Sequence, residues 1–420
     1  MRYTRLRGFQ DLLGAEARAV GAVEKAARDL AWRYALNEIR VPMMERLGLY
    51  ERSTGETSDV VEKQMYLVSR GEESQGEDKM ALRPEGTPGV VRAYIESGLD
   101  RSDPEQRFFY LGPMLRYERP QKGRYRQFHQ FGVELFGRPD AAADAELMMM
   151  VDELGRSLKL ELELQVNSLG CTRCRPAFRA ALLDWGRSHL SELCQDCHQR
   201  LERNPLRLLD CKIDVGLTEG APKSLDYLCD DCRRHFETVV QMVDRAEVTY
   251  AINARLVRGL DYYTRTAFEA VATGIGAQNA VAAGGRYDGL VEALGGAPVP
   301  GTGFAVGIER IALAARQSLA LEQGAPNVVL AALGQAAALR AVGLARSLRE
   351  RGLRVELLSP ERGLKALLRR ADRVGARYAV IFGDNELQRG IFQLRDLKAS
   401  SQREVGESEL LSAIVDGREN

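Results

Sequence analysis

The sequence predicts an α/β protein in two parts: a large unit over residues 1–325 that mixes helices with antiparallel strands, and a smaller α/β unit over 326–420. Three observations carry this. Two apolar segments, RFFYLGPMLRYE and QFHQFGVELF, flank the polar stretch RPQKGRYR, the pattern of two antiparallel strands joined by a long connection. From Pro326 onward strand-like and helix-like segments alternate at short spacing, which argues for a separate domain with a partly parallel sheet. Length agrees, because 420 residues exceed what one core ordinarily organises and domains of roughly 100 to 200 residues are usual.

In chain order, residues 16–36 carry apolar positions at helical spacing, and IRVPMME reads as a short strand broken at Pro42. Residues 53–79, rich in Glu, Ser and Gly, read mostly as a loop with a short strand at QMYLV. Pro84 is placed to open a helix through VVRAYIESGL, since a first turn leaves its N–H groups unpaired anyway; Glu85 and Thr87 then lie near the helix start. A helix around AAADAELMMMVDELGRSL and the strand LELELQV precede a mostly helical, cysteine-bearing segment, 169–246, that reads as an insertion. Strand signals return at LVRGLDYYTRTAFEAV and AAGGRYDGL, and GTGFAVGIERIALAAR is a glycine-rich strand running into a helix. In the small unit NVVLAAL, VELLS, YAVIFG and GIFQLRDL read as strands, with helices through RAVGLARSLRERG and LKALLRRADRVG.

Composition narrows the class. Apolar residues are 45% and charged residues 28%, the balance of a globular chain rather than a disordered or fibrous one. The 59 basic and 59 acidic residues cancel, so a nucleic-acid partner must be held by local patches. No apolar run reaches the roughly 18 residues of a membrane helix, and MRYTRLRGFQDLL lacks a signal-type apolar core, so a cytoplasmic location is expected.

Five basic side chains and one acid fall between Arg116 and Arg126. A solvated basic loop is one reading and a nucleotide phosphate site the other, since arginine's planar fork suits phosphate. Arg258 and Arg310 strengthen the second reading if they converge on the same cleft; Arg310 opens a helix after a glycine-rich strand. Activation of a carboxylic acid by ATP needs little acid–base chemistry, because the carboxylate is already a nucleophile and the overcharged α-phosphate is stabilised by guanidinium groups and Mg²⁺. A site rich in Arg and poor in His fits. His129, on a strand, reads as structural. Glu85, Thr87, Gln130, Glu134, Tyr262 and Tyr263 have the types that hold a small polar zwitterion, although each alone is equally ordinary in a half-buried strand. The glycine-rich segments match neither the Walker nor the Rossmann template.

Seven cysteines lie between Cys171 and Cys232, six of them in the Cys-x-x-Cys pairs Cys171/Cys174, Cys194/Cys197 and Cys229/Cys232. In a reducing compartment these read as metal ligands or free thiols. Two such pairs complete a tetrahedral structural zinc site, leaving one pair over unless Cys211, His198 or His235 builds a second. The segment's distance in sequence from the other motifs predicts no catalytic part for it.

Several of these stretches together resemble the histidyl-tRNA synthetase family of class II aminoacyl-tRNA synthetases. IRVPMME resembles the first class motif, LRYERPQKGRYRQFHQFGVELFG the second and GFAVGIERIAL the third; LVRGLDYYTRTAFE and AGGRYDGL resemble the two histidine-specific signatures, with LRPEGT near the start. The resemblance implies a catalytic domain on a mainly antiparallel sheet, a C-terminal anticodon-binding domain, a homodimer joined through the first motif, and L-histidine, ATP, Mg²⁺ and tRNA(His) as substrates and cofactor. It further implies that Glu85, Thr87 and Gln130 bind the α-amino group and Glu134 and Tyr263 the imidazole, with Gly86, Tyr262 and Tyr287 completing the histidine pocket. Arg116 and Arg310 become phosphate ligands, Arg124 a further ATP-binding residue, Glu118 lies near the adenine, and Arg258 sits by the histidine carboxylate and α-phosphate; Arg258, Arg116 and Arg310 are thus the catalytic set. Arg119 and Gln121 are implied readers of the tRNA acceptor end. Between Leu339 and Arg377 eleven basic residues against four acidic supply a phosphate-tracking face if they cluster. The rival readings are a histidine-binding regulatory paralogue of histidine biosynthesis that charges no tRNA, and a class II synthetase for proline, threonine or glycine.

Overall fold

Side-chain alternation along the central strands decides what faces the core and what faces the site, and it is visible throughout the computed structural model, which describes residues 3–54, 60–69, 79–273, 279–319, 326–358, 361 and 363–416. The chain forms two compact units, Met1–Leu321 and Glu322–Asn420. The first begins with α1 (Ala15–Arg33), in which Ala19, Val23, Ala27 and Leu30 recur at helical spacing and are buried. Residues flanking Pro42 form two strands rather than one: β1 (Asn37–Glu38) adds to the main sheet and β2 (Met44–Arg46) to a separate small sheet. Proline has no N–H for a ladder, so the chain changes sheets there. After α2 (Leu47–Thr54) and a π-type turn over Val60–Gln64, β3 (Tyr66–Val68) and β4 (Met80–Leu82) complete the small sheet in the order β2-β4-β3. Most of the loop expected over 53–79 falls on 55–59 and 70–78, outside the described residues.

The next helix starts later than expected. It is α3 (Thr87–Glu96), with Pro88 and not Pro84 in its first turn, followed by the single turn α4 (Leu99–Ser102). The expected strand pair forms as β5 (Gln106–Leu115) and β6 (Gln127–Phe136), antiparallel in continuous register. Asp140 accepts from the Ala143 N–H at 3.3 Å and caps α5 (Ala141–Ser157). Then come β7 (Leu162–Ser168), α6 (Arg175–Ser188), α7 (Gln195–Arg203), three short 3₁₀ turns, α8 (Asp230–Arg245) and β8 (Tyr250–Ile252). β9 (Thr264–Ala272), β10 (Ala280–Arg286), α9 (Leu290–Ala293), β11 (Gly301–Gly307) and α10 (Ile308–Ala314) finish the unit. The strand expected from Leu256 begins only at Thr264, and Arg310 stands in a helix of just seven residues.

The main sheet runs β1-β5-β6-β11-β10-β9-β7-β8. Its six inner strands are antiparallel neighbours, and β1 and β8 add parallel at the two edges. One face is buried under α1, α5, α8 and α10: Phe131, Val133 and Leu135 of β6, Phe304 and Val306 of β11, and Phe268 and Ala270 of β9 pack there with Val23, Leu147, Phe236 and Ile311. The period of two then sends Phe128, Gln130 and Glu134 of β6, Gly303, Ala305 and Gly307 of β11 and Glu269 of β9 to the opposite face. Helix α8, the end of the cysteine-bearing segment, thus belongs to the main core through Phe236, Val239 and Val243. A buried polar network ties it down: His235 Nε2 lies 2.8 Å from Asp144, which also accepts from Arg286 at 2.7 Å. Burial opposes the Asp144 charge, yet the bonds from His235 and Arg286 hold its carboxyl below the usual range.

The second unit contains β12 (Val328–Leu333), α11 (Gln335–Glu350), β13 (Val355–Leu357), α12 (Leu364–Arg373), β14 (Tyr378–Gly383), α13 (Asp384–Gln388), β15 (Ile391–Asp396), β16 (Ser401–Gly406) and α14 (Glu407–Asp416). The sheet order is β13-β12-β14-β15-β16, parallel around β12 and antiparallel beyond β14, which is the partly parallel sheet expected. Alternation along β12 puts Val328, Leu330 and Ala332 against α11, and Val329 and Ala331 against α12. The two arginine-rich helices therefore lie on opposite sides of the sheet, and their basic residues do not make one continuous face. Among the described residues no helix is long and apolar enough to cross a membrane.

Candidate active site

On the face of the main sheet opposite its helices lies an open cleft with a cavity volume of about 200 Å³. Its lining brings together Glu85, Thr87, Arg116, Glu118, Arg124, Gln130, Arg258, Tyr262, Tyr263 and Arg310, residues scattered over more than half the sequence. The convergence on which the reading of Arg258 and Arg310 depended is therefore met.

One group of these side chains is acidic, buried and incompletely bonded. Glu85 accepts from the Tyr262 hydroxyl at 2.9 Å through Oε2, while its Oε1 and the Gln130 Oε1 are buried with no hydrogen-bond partner among the described residues. Two unpaired buried acceptors on one cleft wall are costly unless a donor arrives from a ligand. Burial raises the Glu85 carboxyl above its usual range, opposed by the positive charges of Arg116 and Arg258 and by the Tyr262 bond. Tyr262 and Tyr263 have ring centroids 4.7 Å apart, and the Tyr263 phenol is pushed up to about 12 by burial.

Glu134 and Tyr287 stand one layer behind this wall. Glu134 Oε1 accepts from the Thr87 hydroxyl at 2.6 Å and Oε2 from the Tyr287 hydroxyl. Gly303, directly across the ladder, opens the layer: a Cβ there would lie 2.0 Å from Glu134 Oε2. Gly86 is the residue before α3, and a Cβ on it would meet the Tyr110 ring at 2.3 Å.

Burial pushes the Glu134 carboxyl from 4.5 up to about 8, the Thr87 and Tyr287 bonds notwithstanding. A carboxyl whose folded pKa is raised contributes stability that is complete below the unfolded value and lost as pH rises through the folded one. Glu134→Gln, which cannot ionise, is accordingly expected to gain thermal stability over the parent as pH rises from about 4.5 to about 8, levelling off at no more than about 5 kcal/mol. Melting temperatures of both proteins across that range measure it; a difference independent of pH contradicts the assignment.

The other group is cationic. Arg116 donates through Nε to the Pro84 carbonyl at 2.7 Å and lies over the Phe128 ring. Arg124 pairs with Glu118 at 3.2 Å, and Arg310 Nε donates to the Ala280 carbonyl at 2.6 Å. Burial lowers the Arg310 pKa, and the neighbouring Arg124 charge lowers it further. Like charges held side by side at a partly buried wall are what an anion stabilises. Arg258 pairs with Glu269 at 3.3 Å, and its guanidinium carbon is 5.7 Å from the Tyr263 ring centre. Phe128, Glu269 and Gly303 were not singled out from the sequence. Strand parity signals two of them, since Phe128 lies two residues from Gln130 on β6 and Gly303 lies directly across from Glu134; Glu269 has no chosen position on its own strand or across from it. Arg119 and Gln121 are exposed on the connection between β5 and β6, where Gln121 and Arg124 close a two-bond turn. His129 faces the helices instead: its Nδ1 is 2.7 Å from Glu309, whose carboxylate raises the imidazole pKa, the structural part expected of it.

The loop carrying Arg258 is held from an unexpected side. Asn167 of β7 donates to the Leu256 carbonyl at 2.9 Å, but Arg207 donates to Gly259 O at 2.7 Å, Asn204 to Asp261 at 3.1 Å, and Arg175 to Tyr263 O. The last three come from the cysteine-bearing segment, so distance in sequence misled: in space this segment clasps a loop of the cleft. Its cysteines form two clusters, Cys171/Cys174/Cys229/Cys232 and Cys194/Cys197/Cys211/Asp214, each with donor atoms within 4.8 Å of one another. His198 and His235 join neither; they bond to Leu190 O and Asp144.

Comparison with known proteins agrees with this geometry. Residues 8–311 match the family described as histidyl-tRNA synthetase, and residues 327–416 the anticodon binding domain. The histidine–tRNA ligase of Trichlorobacter lovleyi is 45% identical over 421 residues, covering 99% of both chains. That of Pelotomaculum thermopropionicum is 47% identical over 408 residues, covering 96% of this chain and 95% of its own. The apo crystal structure of S. aureus histidyl-tRNA synthetase superposes with a TM-score of 0.80 at 32% identity, covering 99% of this chain and all of that one.

Proposed function

The chain belongs to the histidyl-tRNA synthetase family, and from that premise we propose how its own side chains divide the work. The reaction attaches L-histidine to tRNA(His) at the expense of ATP, through a histidyl-adenylate. The single observation that carries the division is the meeting, in one cleft, of buried carboxyl and amide oxygens that lack donors with a cluster of arginines.

Glu85 and Gln130, helped by Thr87, receive the α-ammonium of histidine, which supplies the donors their oxygens lack. Tyr263 and Glu134, the latter reached past Gly303, hold the imidazole, with Tyr262, Tyr287 and the Gly86 turn fixing their positions. A pocket that bonds both ring nitrogens rejects isosteres strongly, because they leave buried polar groups unpaired. Arg116, Arg124 and Arg310 hold the triphosphate, and the flat face of Phe128 with Glu118 accommodates the adenine. Arg258 lies between the two groups and neutralises the α-phosphate as the histidine carboxylate attacks it. The cleft carboxylate Glu269 is a hard oxygen donor that would fit Mg²⁺, which together with the ATP phosphates would supply further charge neutralisation. In the second step the terminal ribose hydroxyl of the tRNA takes the acyl group, and exposed Arg119 and Gln121 meet the acceptor end.

The same reading makes the protein a cytoplasmic homodimer, joined near Pro42, where β1 is a sheet edge and Met43 and Met44 are exposed. It includes a structural zinc on Cys171, Cys174, Cys229 and Cys232. The regulatory-paralogue alternative is set aside because the second unit matches an anticodon binding domain. Deleting residues 327–420 is expected to leave histidine-dependent ATP–pyrophosphate exchange within a few-fold of the parent while tRNA(His) charging falls by at least about a hundredfold, since contacts with tRNA supply binding energy that only the second step uses. Exchange supported equally by another amino acid overturns the substrate, and equal loss of both steps overturns the division of labour.

A further inference from the structure

We propose that Cys194, Cys197, Cys211 and Asp214 form a second metal site, a three-thiolate, one-carboxylate zinc centre whose chelate loop carries the side chains that hold the Arg258 loop in place. This deepens the zinc reading above and depends on it only for the identity of the ion.

The donor geometry is the first support. Four ligands at a zinc–sulfur distance of about 2.3 Å set tetrahedral sulfurs about 3.8 Å apart, and a carboxylate oxygen about 3.5 Å from a sulfur. Cys194 Sγ and Cys211 Sγ are 3.7 Å apart, and Cys211 Sγ is 3.6 Å from Asp214 Oδ2. The all-cysteine tetrad provides a comparison within the same chain, with Cys171–Cys174, Cys171–Cys229 and Cys174–Cys232 at 3.7, 3.8 and 3.8 Å. A disulfide needs about 2.05 Å, and donors this close surround one ion, not a multi-iron cluster. The spacing repeats as well: Cys211-x-x-Asp214 is a fourth pair with the same two-residue gap, its last thiolate replaced by a carboxylate.

Chemistry gives the second support. Asp214 is 7% exposed, and its oxygens accept from the Cys194 N–H at 3.1 and 3.3 Å. Among the described residues no Lys or Arg is paired with it, so its charge is met by N–H and S–H donors alone, and a cation held by the same thiols would meet it directly. Binding converts three thiols to thiolates and releases their protons to solvent. Among the described residues the apolar cluster around these donors has five buried members, Leu193, Cys197, Leu201, Leu208 and Cys211, two of them cysteines, so the core beside the site is small.

The third support is what the ion encloses. Between Cys197 and Cys211 the chain carries Asn204 and Arg207, which bond to Asp261 and Gly259 on either side of Leu260, next to Arg258. These are positioning residues. Closing the 197–211 loop on a metal fixes the clasp from which Arg258, Tyr262 and Tyr263 take their places in the histidine pocket.

The test uses the full-length chain purified without an affinity tag. Elemental analysis is expected to find two zinc ions per chain, falling to one in Cys211→Ser and to one in Cys229→Ser. After exchange with cobalt, the spectrum lost in Cys211→Ser is that of a three-thiolate ion, weaker in sulfur-to-cobalt charge transfer than the four-thiolate spectrum lost in Cys229→Ser. Asp214→Cys keeps both ions and strengthens the weaker spectrum, which covers the case in which Cys211→Ser folds poorly. In ATP–pyrophosphate exchange Cys211→Ser raises the histidine KM about tenfold with little change for ATP, the size of effect that outer-shell positioning groups produce. One zinc per chain that survives Cys211→Ser overturns the second site and leaves the first; no zinc at all overturns both. An unchanged histidine KM in Cys211→Ser that has lost its ion overturns the positioning role.

Discussion

Arg258→Ala is expected to slow histidine-dependent ATP–pyrophosphate exchange by about a hundredfold to a thousandfold while far-ultraviolet circular dichroism stays that of the parent. Removing one preorganised donor from a developing negative charge typically costs this much. Arg258 is placed for that role: its guanidinium lies beside Glu269 and the Tyr263 ring, its side chain is 17% exposed, and its buried Nε has no partner among the described residues. The interaction is needed most as charge accumulates on the α-phosphate, so kcat falls more than the histidine KM rises. Arg258→Lys recovers only part of the rate, because a point charge on a flexible stem cannot keep the contact with Glu269 and reach the phosphate together. The loop's own contacts run through the Gly259, Asp261 and Tyr263 positions and do not involve the Arg258 side chain, which is why the fold survives. Exchange within a few-fold of the parent removes Arg258 from the mechanism.

Much of this site was legible because strand parity is a local rule. Once QFHQFGVELF reads as a strand, Phe131, Val133 and Leu135 declare the core face, and Gln130 and Glu134 must lie on the other. Pairing was readable for β5 and β6, since both are long and joined by one connection, and the alternation of strand and helix after Pro326 announced a separate unit. What escaped were features set by tertiary contacts. LVRGLDYY has strand-like residues, but its backbone is bound by the side chains of Asn167, Arg175 and Arg207, which no window of sequence contains. Asp214 escapes a reading that takes only cysteine and histidine as ligands, although its spacing from Cys211 repeats that of every other pair. The arginines after Leu339 are numerous, but only the alternation of β12 reveals that α11 and α12 cover opposite faces.

Gly303→Ala is expected to reduce kcat/KM for histidine by about a thousandfold, a larger effect than truncating most contact residues, although the change adds a single methyl group. Gly303 is opposite Glu134 across the β6–β11 ladder, and its Cβ would lie 2.0 Å from Glu134 Oε2 and 2.5 Å from the Val133 carbonyl. Neither neighbour can give way cheaply. Val133 O belongs to the backbone of a central strand, and Glu134 is tethered at both oxygens by Thr87 and Tyr287. The Glu134 carboxyl group is therefore pushed from the place where it meets the imidazole, and the methyl group fills the gap through which a ligand reaches it. A ring nitrogen left unpaired in a buried pocket costs about 1 to 3 kcal/mol, and steric displacement of histidine adds to that. ATP contacts lie with Arg116, Arg124 and Arg310, so the ATP KM is expected to change by less than about threefold, a size typical of distant, independent sites. Steady-state exchange with histidine and ATP varied separately measures both numbers. A histidine kcat/KM within about tenfold of the parent means that the imidazole does not approach Glu134 past Gly303 and that the pocket lies elsewhere along the cleft.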